Sequence, residues 1–287
     1  MTLFDRRPGC RVGIVTLLIA SIGGCIQLDP VASENLAKGA AASSTVTAAD
    51  SIRPPSTAVV ERAIDNPRRS LADRKRDSRH KADQVLAFFG IQPGMTVLDL
   101  YSGGGYYTEL LSYMVGSSGR VVAHNNTPFA SFAGAEIEER YANGRLPNVE
   151  RILGENNELD LPPNIFNAVV MTLAYHDVYF VNEEMGWTEI DGPAMLAEIF
   201  RSMRPGAVLG IVDHVADRGA PVTTGGTLHR LDPELIKRDI VAAGFLFDGE
   251  SDVLRNFTDD HSQPVFDNSI RGRTDRAVLK FRKPVTL

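Results

Sequence analysis

From residue 85 to residue 283 the chain alternates between apolar runs of strand length and longer stretches with a helical period. IQPGMTVLDL is a turn and a strand, GGGYYTELLSYMVG a loop and a helix, and GRVVAHN a short strand. FAGAEIEERYANG predicts a helix closed by Asn143-Gly144. VERILG and FNAVVMTLAY predict two strands, and DGPAMLAEIFRSMRPG a helix ended by Pro205-Gly206. AVLGIVDHV is a strand, and DPELIKRDIVAAG a helix capped by Asp232 with Pro233 in its first turn. FLFDGESD and DRAVLKFRK close the chain as strands. Upstream, the segment from Glu61 is polar and basic before Val85, Leu86, Phe88 and Phe89 turn it apolar, which predicts a helix ending near Gly90. Alternation of this kind specifies a mainly parallel α/β sheet with helices on both faces. Ligands of such sheets bind outside the carboxyl ends of the strands, at the switch in strand order.

Composition narrows the function. The formal charge of −6 argues against a nucleic-acid partner, because phosphate binding needs a basic surface. The 287 residues, 43% of them hydrophobic, suffice for a sizeable core. The two cysteines, Cys10 and Cys25, lie near the start, so residues 26–287 offer neither an internal disulfide nor a thiolate metal site. Arg6, Arg7 and Arg11 precede an apolar run, Val12–Gly24, that is too short to span a bilayer and has the length of a secretory core region. The run ends Ile22-Gly23-Gly24-Cys25, which resembles a bacterial lipobox. Residues 1–24 are therefore expected to be a lipoprotein signal peptide, and Cys25 the lipidated residue that meets the membrane. Ile26, in place of an aspartate, leans towards a periplasm-facing outer-membrane lipoprotein. Residues 25–60, rich in Ala, Ser, Thr and Pro, are expected to be a tether, and residues 61–287 the folded domain.

The candidate chemistry begins at VLDLYSGGGYYTELL, residues 97–111. Glycines after a first strand let a ligand approach the backbone, and the next helix offers free N–H groups. The acid, Asp99, precedes the glycines, and no acid follows at the spacing of a dinucleotide fingerprint, which speaks against a dehydrogenase. No Walker lysine follows either. An acid at the strand end suits a positively charged ligand.

QPGMTVLDLYSGGGYYTELL resembles motif I of the class I S-adenosylmethionine-dependent methyltransferases. More narrowly, the chain resembles a group of bacterial predicted methyltransferases that are often exported. The resemblance runs from about residue 62 to residue 284. It is carried by GGGYYTEL (103–110), YHD (175–177), RPG (204–206), VDH (212–214), LHRLDPE (228–234), AAGF (242–245) and RTDRAVLKFRKP (273–284). It implies a Rossmann-like seven-stranded sheet with an antiparallel last strand and S-adenosylmethionine as cofactor. It places contacts at Asp99, Gly103 and Gly105, the ribose near Asn125, and the adenine near Glu155 and Asn156. Two positions depart from the pattern. Tyr101 stands where the motif has a glycine, with its ring a candidate wall of the site, and neutral Asn125 stands where the ribose ligand is an acid. Asp99 has a second reading as a cap of the following helix.

Methyl transfer needs a positioned nucleophile and, where that nucleophile carries a proton, a base. His176 and Asp177 follow the fourth strand, Asp213 and His214 end the fifth, and His229 and Arg230 precede a helix, all on one expected rim. Three readings stay open. The preferred one makes His176 or His214 a general base oriented by Asp177 or Asp213. The second puts a divalent metal on His176, His214 and His229 with a carboxylate, and the third gives these residues structural hydrogen bonds only. No residue is assigned as a metal ligand. Arg230 is a candidate partner for an acidic substrate group or a nearby aspartate. Tyr106 and Tyr107 flank the glycines, Trp187 lies on a loop expected near the substrate, and the basic run Arg68–Lys81 reads either as part of a lid or as a solvated helix face. The functional expectation is methyl transfer to a small-molecule acceptor, the alternative an exported binding protein that keeps the fold without the reaction.

Overall fold

The computed structural model describes residues 57–285. The signal peptide, Cys25 and the tether up to residue 56 lie outside the described residues. Three helices open the described chain: α1 (Thr57–Ile64), α2 (Leu71–His80) and α3 (Ala82–Phe89). They take the place of the single helix the sequence suggests. Ser70 caps α2 by accepting from Asp73 N, and Gly90 ends α3 in the left-handed region. Helix α1 begins inside the stretch assigned to the tether, and its Val59, Val60 and Ala63 pack in the core with Val85, Leu86 and Phe89 of α3.

The alternation that follows is β1 (Thr96–Leu100), α4 (Tyr106–Val115), β2 (Arg120–Asn125), α5 (Thr127–Tyr141), β3 (Val149–Leu153) and β4 (Phe166–Thr172). It continues through α6 (Gly192–Ser202), β5 (Met203–His214), α7 (Thr223–Leu228), α8 (Pro233–Ala242), β6 (Leu246–Ser251) and β7 (Arg276–Arg282). The strands form one seven-stranded sheet in the order β3-β2-β1-β4-β5-β7-β6. Neighbours are parallel except β7, which runs antiparallel to β5 and β6. Every residue of β1 is buried, as a central strand covered on both faces requires. Two apolar clusters fill the two faces. The strand order switches between β1 and β4, and the crevice there opens at the carboxyl ends of both. Among the described residues no helix is long and apolar enough to cross a membrane.

Three boundaries differ from expectation, each for a local reason, and one helix is additional. Helix α5 starts at Thr127, five residues before Phe132, because the Asn126 side chain caps it and Pro128 occupies its first turn. Helix α6 ends at Ser202, and Arg204-Pro205-Gly206 lies in an irregular start of β5 instead of closing the helix. Strand β4 stops at Thr172, where Leu173 turns to φ 57°. Helix α7, TTGGTL, has no apolar period and was not expected.

Glycine 210 shows how tightly α3 lies on β5. A Cβ there would stand 2.7 Å from two ring atoms of Phe89, itself fully buried. Gly210→Ala is expected to destabilise the fold by about 1–3 kcal/mol through forced displacement of that ring, read by urea denaturation.

Candidate functional site

The glycine loop leaves β1 at Asp99, which is 1% exposed. Its Oδ2 accepts from Thr108 Oγ1 at 2.5 Å, while Oδ1 is buried with no partner. Burial pushes this carboxyl up to about 7, against the opposing pull of the Thr108 hydroxyl and Arg140. The loop hydroxyl of Ser102 is likewise buried and unpartnered. Gly103 adopts φ 54°, and a Cβ there would meet nothing within 4 Å, so its backbone borders open space. Gly105 has a different role. It is the N-cap of α4 at φ 79°, and a Cβ would come within 2.7 Å of Arg140 Cδ and 2.8 Å of Tyr141 Oη. Its missing side chain serves the approach of α5 rather than a ligand.

Asn125 ends β2 with its carboxamide spent on the loop: Gly103 N donates to Oδ1 at 2.8 Å and Nδ2 donates to Gly103 O at 3.0 Å. A cavity of about 370 Å³ opens beside it, lined also by Ser102, Tyr141, Arg151 and Leu153. Tyr101 keeps the backbone sign of the glycine it replaces, φ 54°, at a steric cost. Its ring is buried, stacked on Phe129 at 5.4 Å and edge-on to His124 at 5.2 Å. Its hydroxyl donates to Asn156 Oδ1 at 3.0 Å, which also accepts from Asn126 Nδ2 at 2.7 Å. The ring fills part of the crevice. Glu155 is exposed and accepts from Thr127 at the start of α5.

The basic run is solvated on one side, where Arg68, Lys75 and Arg79 are exposed, and engaged on the other. Arg69 forks onto Asp77, which also accepts from Tyr106 Oη at 2.7 Å, and Asp73 accepts from Arg140 at 2.8 Å. Arg140 additionally donates to the Gly104 carbonyl and to Glu109. Helix α2 is thereby locked to the glycine loop and the first turn of α4.

The second half of the crevice holds the histidines. His176 and Asp177 sit on a 3₁₀ turn, Tyr175–Tyr179, after β4. Asp213 Oδ1 pairs with His176 Nδ1 at 2.7 Å, and Asp213 Oδ2 accepts from His176 N at 2.7 Å. His176 Nε2 faces Asp177 Oδ1 at 3.5 Å. Burial alone would lower the His176 pKa, but the carboxylates of Asp213 and Asp177 outweigh it and raise it to about 9. His229 Nδ1 lies 3.6 Å from the same Asp177 oxygen and has no hydrogen-bond partner. His214 is turned aside: its Nδ1 meets Thr274 Oγ1 at 2.8 Å, and burial and the neighbouring His176 hold its pKa well below the ordinary histidine value. Asp213 thus orients the His176 ring as expected, with the raised pKa favouring its protonated form, while His214 is held towards its neutral form.

Arg230 does not reach the rim. It is fully buried, forked onto Asp259 at 2.8 and 3.1 Å, and it donates to the carbonyls of Val215 and Gln263. Of the two expected partners it takes the aspartate, and it fastens the 255–275 loop beneath the site.

An aromatic line joins the two halves. Phe129 meets Trp187 at 5.1 Å, Trp187 meets Phe180 at 5.4 Å, and His229 lies between Phe180 at 5.0 Å and Phe266 at 4.9 Å. The sequence had marked Trp187 but neither Phe129, Phe180 nor Phe266. Asn126 was also missed, although Asn-Thr-Pro is a helix-start signal that identifies its backbone role.

Arg230→Met leaves Asp259 buried and unpaired and is expected to cost about 3–5 kcal/mol in chemical denaturation, without rescue by Arg230→Lys, which lacks the fork. The raised pKa of His176 means that the folded chain binds the proton more strongly than the unfolded chain. Its contribution is complete below the ordinary value of 6.5 and is lost as pH rises through about 9. Denaturation curves across that window are expected to lose on the order of 3 kcal/mol, with the pH slope flattened in His176→Asn.

Comparison with known proteins agrees with this geometry. Residues 65–155 match the family described as Protein-L-isoaspartate(D-aspartate) O-methyltransferase. The chain is 30% identical over 130 residues to the ubiquinone/menaquinone biosynthesis C-methyltransferase UbiE of Hydrogenovibrio crunogenus, covering 45% of this chain and 46% of that protein. It is 30% identical over 121 residues to the 2-phytyl-1,4-naphtoquinone methyltransferase of Thermosynechococcus vestitus, covering 42% and 46%. The matches thus span under half the length of these relatives. Among solved structures, a SAM dependent methyltransferase from Aquifex aeolicus shares the fold with a TM-score of 0.52 at 21% identity, over 80% of this chain and 98% of that one. The [4+2]-cyclase SpnF does so with a TM-score of 0.51 at 20% identity, over 75% and 82%. The 3-2-1-4-5-7-6 sheet and the structural matches agree that the chain has the seven-stranded α/β fold seen in S-adenosylmethionine-dependent methyltransferase structures.

Proposed function

We propose that this chain transfers a methyl group from S-adenosylmethionine to a small-molecule acceptor. The observation that carries the reading is Asp99 Oδ1, a buried carboxylate oxygen without a partner beside a glycine backbone that borders open space. A buried acceptor left unpaired is costly, and a ligand ammonium relieves that cost. Asp99 and the Gly103 backbone would hold the charged end of the cofactor, with Asn125 and Asn156 towards the nucleoside. When bound, the cofactor supplies a methyl group on a positively charged sulfur. The acceptor side is the aromatic line of Phe129, Trp187 and Phe180 with His176, Asp177 and His229 at its end. That wall suits a flat, partly apolar ring carrying an ionisable group, in keeping with the quinone-related names of the matched relatives. Exclusion of water by the aromatic wall, and a His176 ring held in place by Asp213, are what these residues contribute.

The lipobox-like Ile22-Gly23-Gly24-Cys25 supports a lipid-anchored, exported location, as in the bacterial group the sequence resembles. S-adenosylmethionine is made in the cytosol, so an exported enzyme needs a supply on the other side. The second reading, a binding protein without catalysis, is favoured by one observation: the Tyr101 ring fills part of the crevice.

Calorimetric titration of the full chain with S-adenosylmethionine and its demethylated product separates the two. Saturable binding is expected, abolished in Asp99→Ala. The ligand pairs with the ionised carboxyl, so affinity is expected to weaken about tenfold per pH unit below about 7. No binding by the wild-type chain sinks the enzyme reading. Binding that appears only in Tyr101→Gly supports the second.

A further inference from the structure

We propose that His176 Nε2, Asp177 Oδ1 and His229 Nδ1 form a binding site for a first-row divalent transition metal. The three atoms lie within 4.8 Å of one another. Asp177 Oδ1 stands 3.5 Å from His176 Nε2 and 3.6 Å from His229 Nδ1. Ligand atoms about 2.0–2.2 Å from one ion stand about 3–3.5 Å apart, close to both distances from Asp177 Oδ1, and an ion would replace the proton on His176 Nε2.

Three further features belong to metal sites rather than to ordinary polar clusters. The far nitrogen of His176 is held by Asp213 at 2.7 Å, the carboxylate–histidine arrangement that fixes the tautomer and ring orientation of a metal ligand. His229 Nδ1 is buried without a hydrogen-bond partner, which is costly unless something else uses its lone pair. The chain also adopts an unfavourable backbone to bring this ring in: His229 is at φ 55°. Helix α7, which delivers it, lies directly on the 3₁₀ turn because Gly225 is small. A Cβ on Gly225 would stand 2.8 Å from the His176 carbonyl oxygen.

Two imidazoles and one carboxylate on one side of an ion leave coordination positions open. The rings of Phe180 and Phe266 pack against His229, so an ion held there would border the aromatic rim. Resting on the methyltransferase reading, the ion would bind an acceptor oxygen, favour its ionised form and hold it for attack. His214 is no part of the set, because its Nδ1 is engaged by Thr274. His261 forms a separate cluster with Asp217 and Asp275 and serves as a control.

The test is titration of the chelator-treated full chain, free of any polyhistidine tag, with Co²⁺, Zn²⁺ and Mn²⁺ in the absence of S-adenosylmethionine. The expected result is one tightly bound ion per chain, with Co²⁺ showing the visible absorption of nitrogen and oxygen coordination. Affinity is expected to fall at least about tenfold in His229→Asn and Asp177→Asn, and to be unchanged in His261→Ala. Asparagine tolerates the left-handed backbone at 229, so the fold should survive, as circular dichroism without metal will report. Failure of the wild-type chain to take up any of the three ions overturns the site, as does uptake that is undiminished in folded His229→Asn. Neither result bears on cofactor binding at Asp99, which is read separately.

Discussion

One buried carboxylate, Asp213, organises the histidine-bearing half of the crevice. Standing in the penultimate position of β5, it accepts from the backbone and pairs with the ring of His176, and it accepts from the backbone N–H of His214. These contacts tie the turn after β4 to the end of β5. A charge buried this deeply is tolerable only if it is fully paired, so the position of His176 follows from Asp213 rather than from the turn itself. Asp177, the next residue, is then carried into place opposite His229. Removing the hub charge would free the turn and dissolve the cluster together.

The glycine-loop half is built on the opposite charge. Arg140, on α5, holds the Gly104 carbonyl, Asp73 and Glu109 at once, joining the N-terminal helices, the glycine loop and α4. Arg230 performs the same service for the loop that backs the histidines. Buried hubs of this kind add little net stability, but they allow one arrangement and penalise others. Between the two halves runs the line of rings from Tyr101 to Phe266.

Positive φ occurs at Lys81, Asn143, Asp160, Asn164 and His261, but three further such residues gather at the crevice. Tyr101, Leu173 and His229 all adopt positive φ, and each stands at the carboxyl-end crevice or its rim. Side chains there cost energy that a glycine would not, and such positions persist only when their surroundings over-determine them. For Tyr101 the return is a ring packed on Phe129 and a hydrogen bond to Asn156, and for His229 it is a ring placed against Asp177.

The sequence by itself determined the sheet, because buried parallel strands read as apolar runs and amphipathic helices as a 3.6-residue period, both local properties. It also determined the first strand's acid-glycine end and the capping of α8, since Asp99, Gly103 and Asp232 act within a few residues of themselves. It brought the histidine-bearing loops to one rim, because strand order places the loops. Only the tertiary structure decided which rim residues meet. His176, His214 and His229 look equivalent along the chain, yet Thr274 removes one of them and Asp213 claims another. Arg230 and Asp259 are 29 residues apart, and their pairing depends on how the last loop folds back. Likewise Tyr101 reads as a damaged glycine motif until Phe129 and Asn156 arrive from other elements. Side-chain partners across loops are set by packing at long sequence separation, which no local pattern encodes.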